Sequence, residues 1–200
     1  MTVTVRTASM DDSELLHRLA AATFALACPP GTTEADVRDF VSHNLSTEHF
    51  AAYTTDPGRQ VLIAERDGAA AGYSMLVYRD TEDADVIAAL TTVPSAELSK
   101  LYVLGEHHGA GIAAQLMGAS VRAAADRGYA SVWLGVNKLN ARANRFYEKQ
   151  GFRVVGSKTF LLAGRREDDH VREHIVTDAD VDTAAGTRTA APATSAEKLA

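Results

Sequence analysis

The 200-residue chain has room for one domain, or a domain and a tail, because single cores usually span about 100–200 residues. Hydrophobic residues make up 46% and charged ones 23%, an ordinary balance that excludes wholesale disorder, and a net charge of −6 argues against a general nucleic-acid binder, which needs a basic field. The lone Cys28 excludes an intramolecular disulfide framework and a multi-cysteine metal site. No apolar run approaches the roughly 18 residues of a membrane span, and no charged leader precedes an apolar core, so the expectation is a cytoplasmic protein without membrane or nucleic-acid partners.

In chain order, Val3–Arg6 alternates as a short strand. Ser9 precedes a helical pattern through Leu15, Leu16, Leu19 and Phe24, with Asp11, Asp12 and Glu14 near its start, where the helix dipole favours them. Pro29, Pro30 and Gly31 stop it; Thr32 or Thr33 then caps a second helix through Val37, Phe40 and Val41, and a third short helix is expected around Glu48–Tyr53. Val61–Glu65 and Ala71–Tyr78 flank Asp67-Gly68, the strongest short-range signal for a hairpin. The acidic stretch from Asp80 to Ser95 reads as a loop. Leu98–Leu104 reads as a strand, Gly109–Arg127 as a helix closed by Gly128, and Ser131–Val136 as an apolar strand without alternation, which suggests burial on both faces, as in a parallel sheet. Strand, crossover helix and strand form a βαβ unit, normally right-handed. A helix follows over Asn140–Gln150, ending at Gly151, and Phe152–Leu161 and His170–Val176 read as the last two strands.

The inferred fold class is α/β, of the α+β kind: a mixed, mostly antiparallel sheet with one parallel step, flanked by helices. The domain is expected over residues 1–177. Ten of the fourteen residues in Thr183–Ala196 are Ala or Thr, with Gly186 and Pro192 interrupting, so 178–200 reads as a solvated, disordered tail; a helix is the alternative for so Ala-rich a stretch.

Two segments carry chemistry. His107-His108-Gly109-Ala110-Gly111-Ile112-Ala113 joins an apolar strand directly to a helix. Gly109 and Gly111 permit a tight turn and a close approach of backbone to ligand. The helix begins there, so several N–H groups lack intrahelical partners, and with the positive end of the dipole they suit a pyrophosphate. Ala113 keeps the first turn close to a ligand, and His107 and His108 add donors. A plain strand-to-helix turn is the competing reading; the P-loop pattern is absent, and the dinucleotide pattern lacks its third Gly and its later acidic residue. Further on, Asn140, Ala143 and Tyr147 are spaced three and four apart on one helix face, where they line a ligand groove or simply pack as an amphipathic helix. Asp168, Asp169, His170 and His174 match no recognised ligand spacing, so no metal is expected.

Together these segments resemble the GCN5-related N-acetyltransferase (GNAT) superfamily. The likeness runs through Leu101-Tyr102-Val103, then His108-Gly109-Ala110-Gly111-Ile112-Ala113, then Asn140-x-x-Ala143-x-x-Phe146-Tyr147-Glu148-Lys149-x-Gly151-Phe152, about thirty residues apart across the βαβ unit. It covers about Ala96–Phe160, while the first 95 residues agree in element order only. Two positions depart from the family: His108 stands where Gln or Arg is usual, and Gly105 where Pro is frequent.

The resemblance implies a sheet of six or seven strands with helices on both faces, acetyl-CoA as co-substrate, and transfer of its acetyl group to a primary amine of a small molecule or peptide by direct attack in a ternary complex. The fourth strand splays from the fifth, and the pantetheine arm lies in the gap beside Leu101, Tyr102, Val103 and Leu104. The Val103 N–H then polarises the thioester carbonyl and stabilises the oxyanion, a donor worth on the order of 3 kcal/mol. The loop His108, Gly109, Ala110, Gly111, Ile112 and Ala113 holds the pyrophosphate, and Asn140 contacts the pantetheine or orders the groove. Tyr147 is general acid to the departing thiolate. Glu97 is the most plausible base, with a solvated strand-end carboxylate as the equal alternative. Tyr78, Tyr102 and the region Phe24–Phe50 are candidates for the acceptor wall, against ordinary core packing. The competing functions are a catalytically silent CoA-binding module, serving as sensor or partner domain, and a mononucleotide-binding α/β protein. Association through the last strands, as a homodimer, is compatible with the resemblance.

Overall fold

Residues 2–28, 31–162 and 165–182 are described by a computed structural model. Strand β1 (Val3–Thr7) is followed by α1 (Ser13–Thr23), α2 (Glu34–Asn44) and α3 (Thr47–Thr55), then by β2 (Arg59–Arg66) and β3 (Ala69–Val77). After α4 (Ala84–Ala89) come β4 (Ser95–Val103), α5 (Ile112–Asp126), β5 (Ser131–Asn137), α6 (Ala141–Lys149), β6 (Arg153–Leu162), β7 (Arg165–Ile175) and α7 (Asp178–Asp182). The seven strands form one sheet in the order β1-β2-β3-β4-β5-β7-β6, antiparallel throughout except for β4 beside β5.

Local chemistry accounts for the elements. The β2–β3 hairpin turns through Asp67 and Gly68, both left-handed at φ 51° and 85°, the conformation that Asp-Gly adopts most readily in a two-residue turn. Thr33 caps α2 reciprocally: its Oγ1 accepts from the Asp36 N–H at 3.1 Å, and its own N–H donates to Asp36 Oδ2 at 3.0 Å. Asn140 caps α6 by accepting from the Ala143 N–H at 3.0 Å, and Gly151 ends it at φ 82°.

Helices α1–α3 cover one face of the sheet, where Leu16, Leu19, Leu45 and Phe50 pack on Val61, Ile63, Tyr73 and Met75. Helix α5 covers the other, burying Ile112 and Leu116 against Leu62, Ala64, Ala71 and Val103, and Met117, Val121 and Ala124 against Leu98, Val132 and Leu134. Successive residues of β2 therefore enter opposite cores, which is why its sequence is continuously apolar instead of alternating.

Strands β4 and β7 begin earlier than expected, at Ser95 instead of Leu98 and at Arg165 instead of His170, and three further stretches differ from the sequence expectation. Asp80–Ser95 contains α4, capped by Asp83, whose Oδ1 accepts from the Asp85 and Val86 N–H groups at 3.0 and 3.4 Å; its shortness, six residues, hid it from periodicity. Helix α5 starts at Ile112 and not Gly109, because Gly109 and Gly111 are left-handed. Asp178–Asp182, read as the beginning of the tail, forms α7, and Asp180 Oδ2 accepts from the Thr177 N–H at 2.8 Å and lies 3.2 Å from His174 Nε2. Residues 183–200 of that tail, and Pro29 and Pro30, lie outside the described residues.

Gly72 sets how closely β3 and β4 approach. A Cβ there would stand 2.5 Å from the Tyr102 carbonyl oxygen and 3.0 Å from Val103 Cα. Gly72→Ala is expected to lower stability by roughly 1–3 kcal/mol in urea unfolding, because backbone and not a flexible side chain must give way; unchanged stability would show the strand pair to be adjustable.

Candidate active site

The site begins with a failure of pairing. Only Ser95, Ala96 and Glu97 of β4 pair with Ser131, Val132 and Trp133 of β5. Beyond them the strands part, and a cavity of about 390 Å³ opens. Glu97 to Tyr102 line it from β4, and Gly135, Val136 and Asn137 from β5. Asn140, Ala143 and Tyr147 line it from α6, the face anticipated from their spacing, and Lys158 and Asp169 from β6 and β7.

A bulge decides which residues of β4 share the cavity. Met75 pairs with Lys100 but Leu76 with Leu98, so Ser99 is an extra residue on β4. Glu97 and Lys100, three apart, would fall on opposite faces of a regular strand; with the bulge, both line the cavity. Further along, the Leu104 N–H donates to the Ala71 carbonyl at 2.9 Å. Alternation turns the N–H groups of Leu101 and Val103 to the opposite edge, the one β5 has left.

The loop after β4 ends at a bare helix terminus. The N–H groups of His108 and Ala110 close turns on the Gly105 and His107 carbonyls at 3.1 and 3.2 Å. Gly109 and Gly111 adopt φ 85° and 80°. Gly111 is the N-cap of α5 and offers no side chain, so the N–H groups of Ile112 and Ala113 face outward uncapped. The His108 ring, expected to add a donor to the loop, donates through Nε2 to the Val103 carbonyl at 2.9 Å and ties the loop to the end of β4. His107 Nδ1 accepts from Arg66 at 3.4 Å. The loop and Val103 lie outside the lining of the cavity itself, Val103 being buried beside Ile112 and Leu116.

Burial dominates the electrostatics. It raises the Tyr147 phenol to about 12, opposed by the charge of Arg172, and the hydroxyl has no hydrogen-bond partner among the described residues. It raises Tyr102 also, and the Glu97 carboxyl despite the attraction of Lys158, Lys100 and Arg59. It lowers Lys100 to about 8. Asp169, only 7% exposed, is raised to about 6, and its Oδ1 has no partner.

Of the expected acceptor wall, Phe24, Phe40 and Tyr102 line the cavity. Phe50 is wholly inside the core, and Tyr78 lies elsewhere, donating to Gln60 at 2.8 Å beneath the Arg127 guanidinium. Sequence reading missed Lys100, Lys158, Asp169 and Arg172. The last is buried and fastens α6: its Nε donates to Asn144 Oδ1 at 3.1 Å and its Nη1 to the Phe152 carbonyl at 3.0 Å. Asn144 in turn donates to the Asn137 and Asn140 carbonyls, both at 2.9 Å. Among the described residues no three His, Cys, Asp or Glu side chains group to hold a metal ion, and no helix is long and apolar enough to cross a membrane.

A sheet that parts after one short parallel ladder, with a bare helix start beyond it, defines a class. The chain belongs to the acetyltransferase (GNAT) family, whose model matches residues 25–152, and is thereby an enzyme of the acyltransferase kind. It is 46% identical over 162 residues to an uncharacterised N-acetyltransferase of Mycobacterium tuberculosis, covering 81% of this chain and 96% of the relative. In fold it is similar to the PaiA N-acetyltransferase of Thermoplasma acidophilum, solved with coenzyme A, with a TM-score of 0.71, 19% identity, and coverage of 88% of this chain and 100% of that one. A Salmonella typhimurium structure solved with acetyl-CoA gives a TM-score of 0.60 at 19% identity, covering 98% of this chain and 100% of its own.

The unpaired Asp169 yields a prediction. A carboxyl whose pKa in the fold, about 6, exceeds its ordinary 3.8 leaves the protein most stable while both states are protonated. Stability is lost as pH rises through about 6. Asp169→Asn is expected to raise the melting temperature at pH 8 by several degrees, equivalent to about 1–3 kcal/mol, and to leave it unchanged at pH 4; a loss at both pH values would show that the carboxylate is paired.

Proposed function

We propose that the chain transfers the acetyl group of acetyl-CoA to a primary amine of a small molecule or protein, by direct attack in a ternary complex. The observation that carries this reading is the gap beyond Glu97, with an unpartnered tyrosine hydroxyl inside it. The groups present suit the co-substrate: uncapped N–H groups at Gly111, Ile112 and Ala113 for the diphosphate, and an open β4 edge for the amide-bearing arm. The apolar flank formed by Phe24, Phe40 and Leu45 suits the acceptor. Acetyl-CoA supplies an activated carbonyl carbon and a thiolate leaving group. The 46% identical mycobacterial relative, named an N-acetyltransferase, supports the same reading.

The chain's own residues then manage protons and charge. Glu97, made more basic by burial, takes one proton from the acceptor's ammonium and frees the nitrogen lone pair to form the C–N bond. The Val103 N–H, on the edge β5 has left, stabilises charge developing on the carbonyl oxygen. Tyr147, fully protonated at neutral pH, gives its proton to the sulfur, which departs with the electrons of the C–S bond. The second nitrogen proton restores the phenol through water, and the proton held by Glu97 passes to solvent, so one proton is released per turnover. Asn140 spends its side-chain oxygen on the α6 cap and keeps the Nδ2 donor at the groove.

Two variants test this by thiol release with a panel of amines. Tyr147→Phe is expected to lower kcat about tenfold to a thousandfold with little change in KM for acetyl-CoA. Gly111→Glu, which sets a negative charge at the start of α5, is expected to raise that KM by at least tenfold. Full turnover by both variants with the best acceptor overturns the assignment. Tight coenzyme A binding by calorimetry with no activity across the panel favours the silent module instead.

A further inference from the structure

The cavity carries charges of both signs that attract one another without closing an ion pair or a hydrogen bond. Glu97 and Lys100 line it from the same strand, brought together by the bulge at Ser99, yet neither makes an ion pair or hydrogen bond with any described residue. Asp169 lines it from β7, 93% buried by its 7% exposure, with Oδ1 unpartnered. Lys158, from β6, stands 3.8 Å from Asp83 and 5.5 Å from the centre of the Trp133 ring. Arg59, the remaining charge felt by Glu97 and Lys100, is engaged by Asp56 and by the Tyr53 ring. Buried charges without partners are costly unless a ligand supplies the complement. The opposite flank is apolar: Phe24 and Phe40 stack at 4.4 Å beside Leu45 and Cys28.

Resting on acetyl transfer to an amine, we infer that the acceptor is an apolar amino acid, its ammonium received by Glu97 and Asp169, its carboxylate by Lys100, and its side chain by Phe24 and Phe40. A polyamine would set a second ammonium against Lys100 and Lys158. A simple amine, or a protein N-terminus whose carbonyl is already an amide, would leave the half-buried Lys100 ammonium without an ion pair. The selection works by penalty on the wrong partner as much as by attraction to the right one.

The test compares L-phenylalanine, phenethylamine, L-phenylalanine methyl ester and spermidine as acceptors for the full chain with acetyl-CoA, following thiol release. The expected result is a kcat/KM for phenylalanine at least tenfold above each of the other three. Lys100→Met should remove that preference by raising the phenylalanine KM at least tenfold, while phenethylamine is used as well as before or better. Lys100→Arg should restore most of it. An unchanged melting temperature and acetyl-CoA affinity in Lys100→Met would separate loss of recognition from loss of fold. Preference for spermidine or phenethylamine, or an equal loss on all four acceptors in Lys100→Met, overturns the inference while leaving acetyl transfer standing. Absence of thiol release with every amine overturns both.

Discussion

A β-strand cannot leave its neighbour inside a protein without exposing a row of backbone donors and acceptors, and burying such a row unpaired is costly. Here β4 and β5 pair for three residues and then separate. The N–H groups of Leu101 and Val103 thereby face a gap instead of a neighbouring strand. The rest of the molecule is arranged so that this gap neither closes nor collapses. An extended ligand bearing its own amides can enter it as a surrogate strand, the physical basis of β-augmentation in other systems.

Two adjacent residues of β7 hold the gap open from opposite ends. Glu173, 3% exposed, accepts from the Thr91 and Thr92 N–H groups at 3.0 and 3.2 Å and from Ser131 Oγ at 2.9 Å, locking the segment before β4 to the start of β5. Arg172 reaches α6 through Asn144 and the Phe152 carbonyl. Successive strand residues point to opposite faces, so one strand fixes both the point of divergence and the helix that carries Tyr147. The splay is thus a built feature with its own buried polar supports.

How much of this was legible depends on the range of the interaction that encodes it. The Asp67-Gly68 turn, the Thr33 and Asn140 caps and the terminating glycines are written in a few consecutive residues, and the common face of Asn140, Ala143 and Tyr147 follows from helical spacing alone. The two motifs, read as a resemblance, carried the topology of the βαβ unit and the family with it. The bulge at Ser99 has no such local mark, because it exists only in the register of β4 against β3. Without it Lys100 reads as facing away from Glu97, and so the charged half of the cavity stayed hidden. Lys158 and Asp169 meet the site through pairing between β6 and β7, which no local pattern marks, so sequence reading weighs Asp169 only as a metal ligand and Lys158 not at all.

The buried charges separate by what satisfies them. Glu173 and Arg172 are held by hydrogen bonds within their own chain, so they stabilise one arrangement of the backbone. Asp169 is buried and Glu97 and Lys100 are half-buried, none of the three closes an ion pair or hydrogen bond with a described residue, and burial pushes each toward its neutral form. Such groups weaken the empty protein, and their cost falls when complementary charge arrives. Stability is therefore withheld from the fold at the place where a ligand of the right pattern returns it. That separates a binding site from a structural ion cluster on physical grounds, and these groups lie on β4 and β7, away from the bare start of α5.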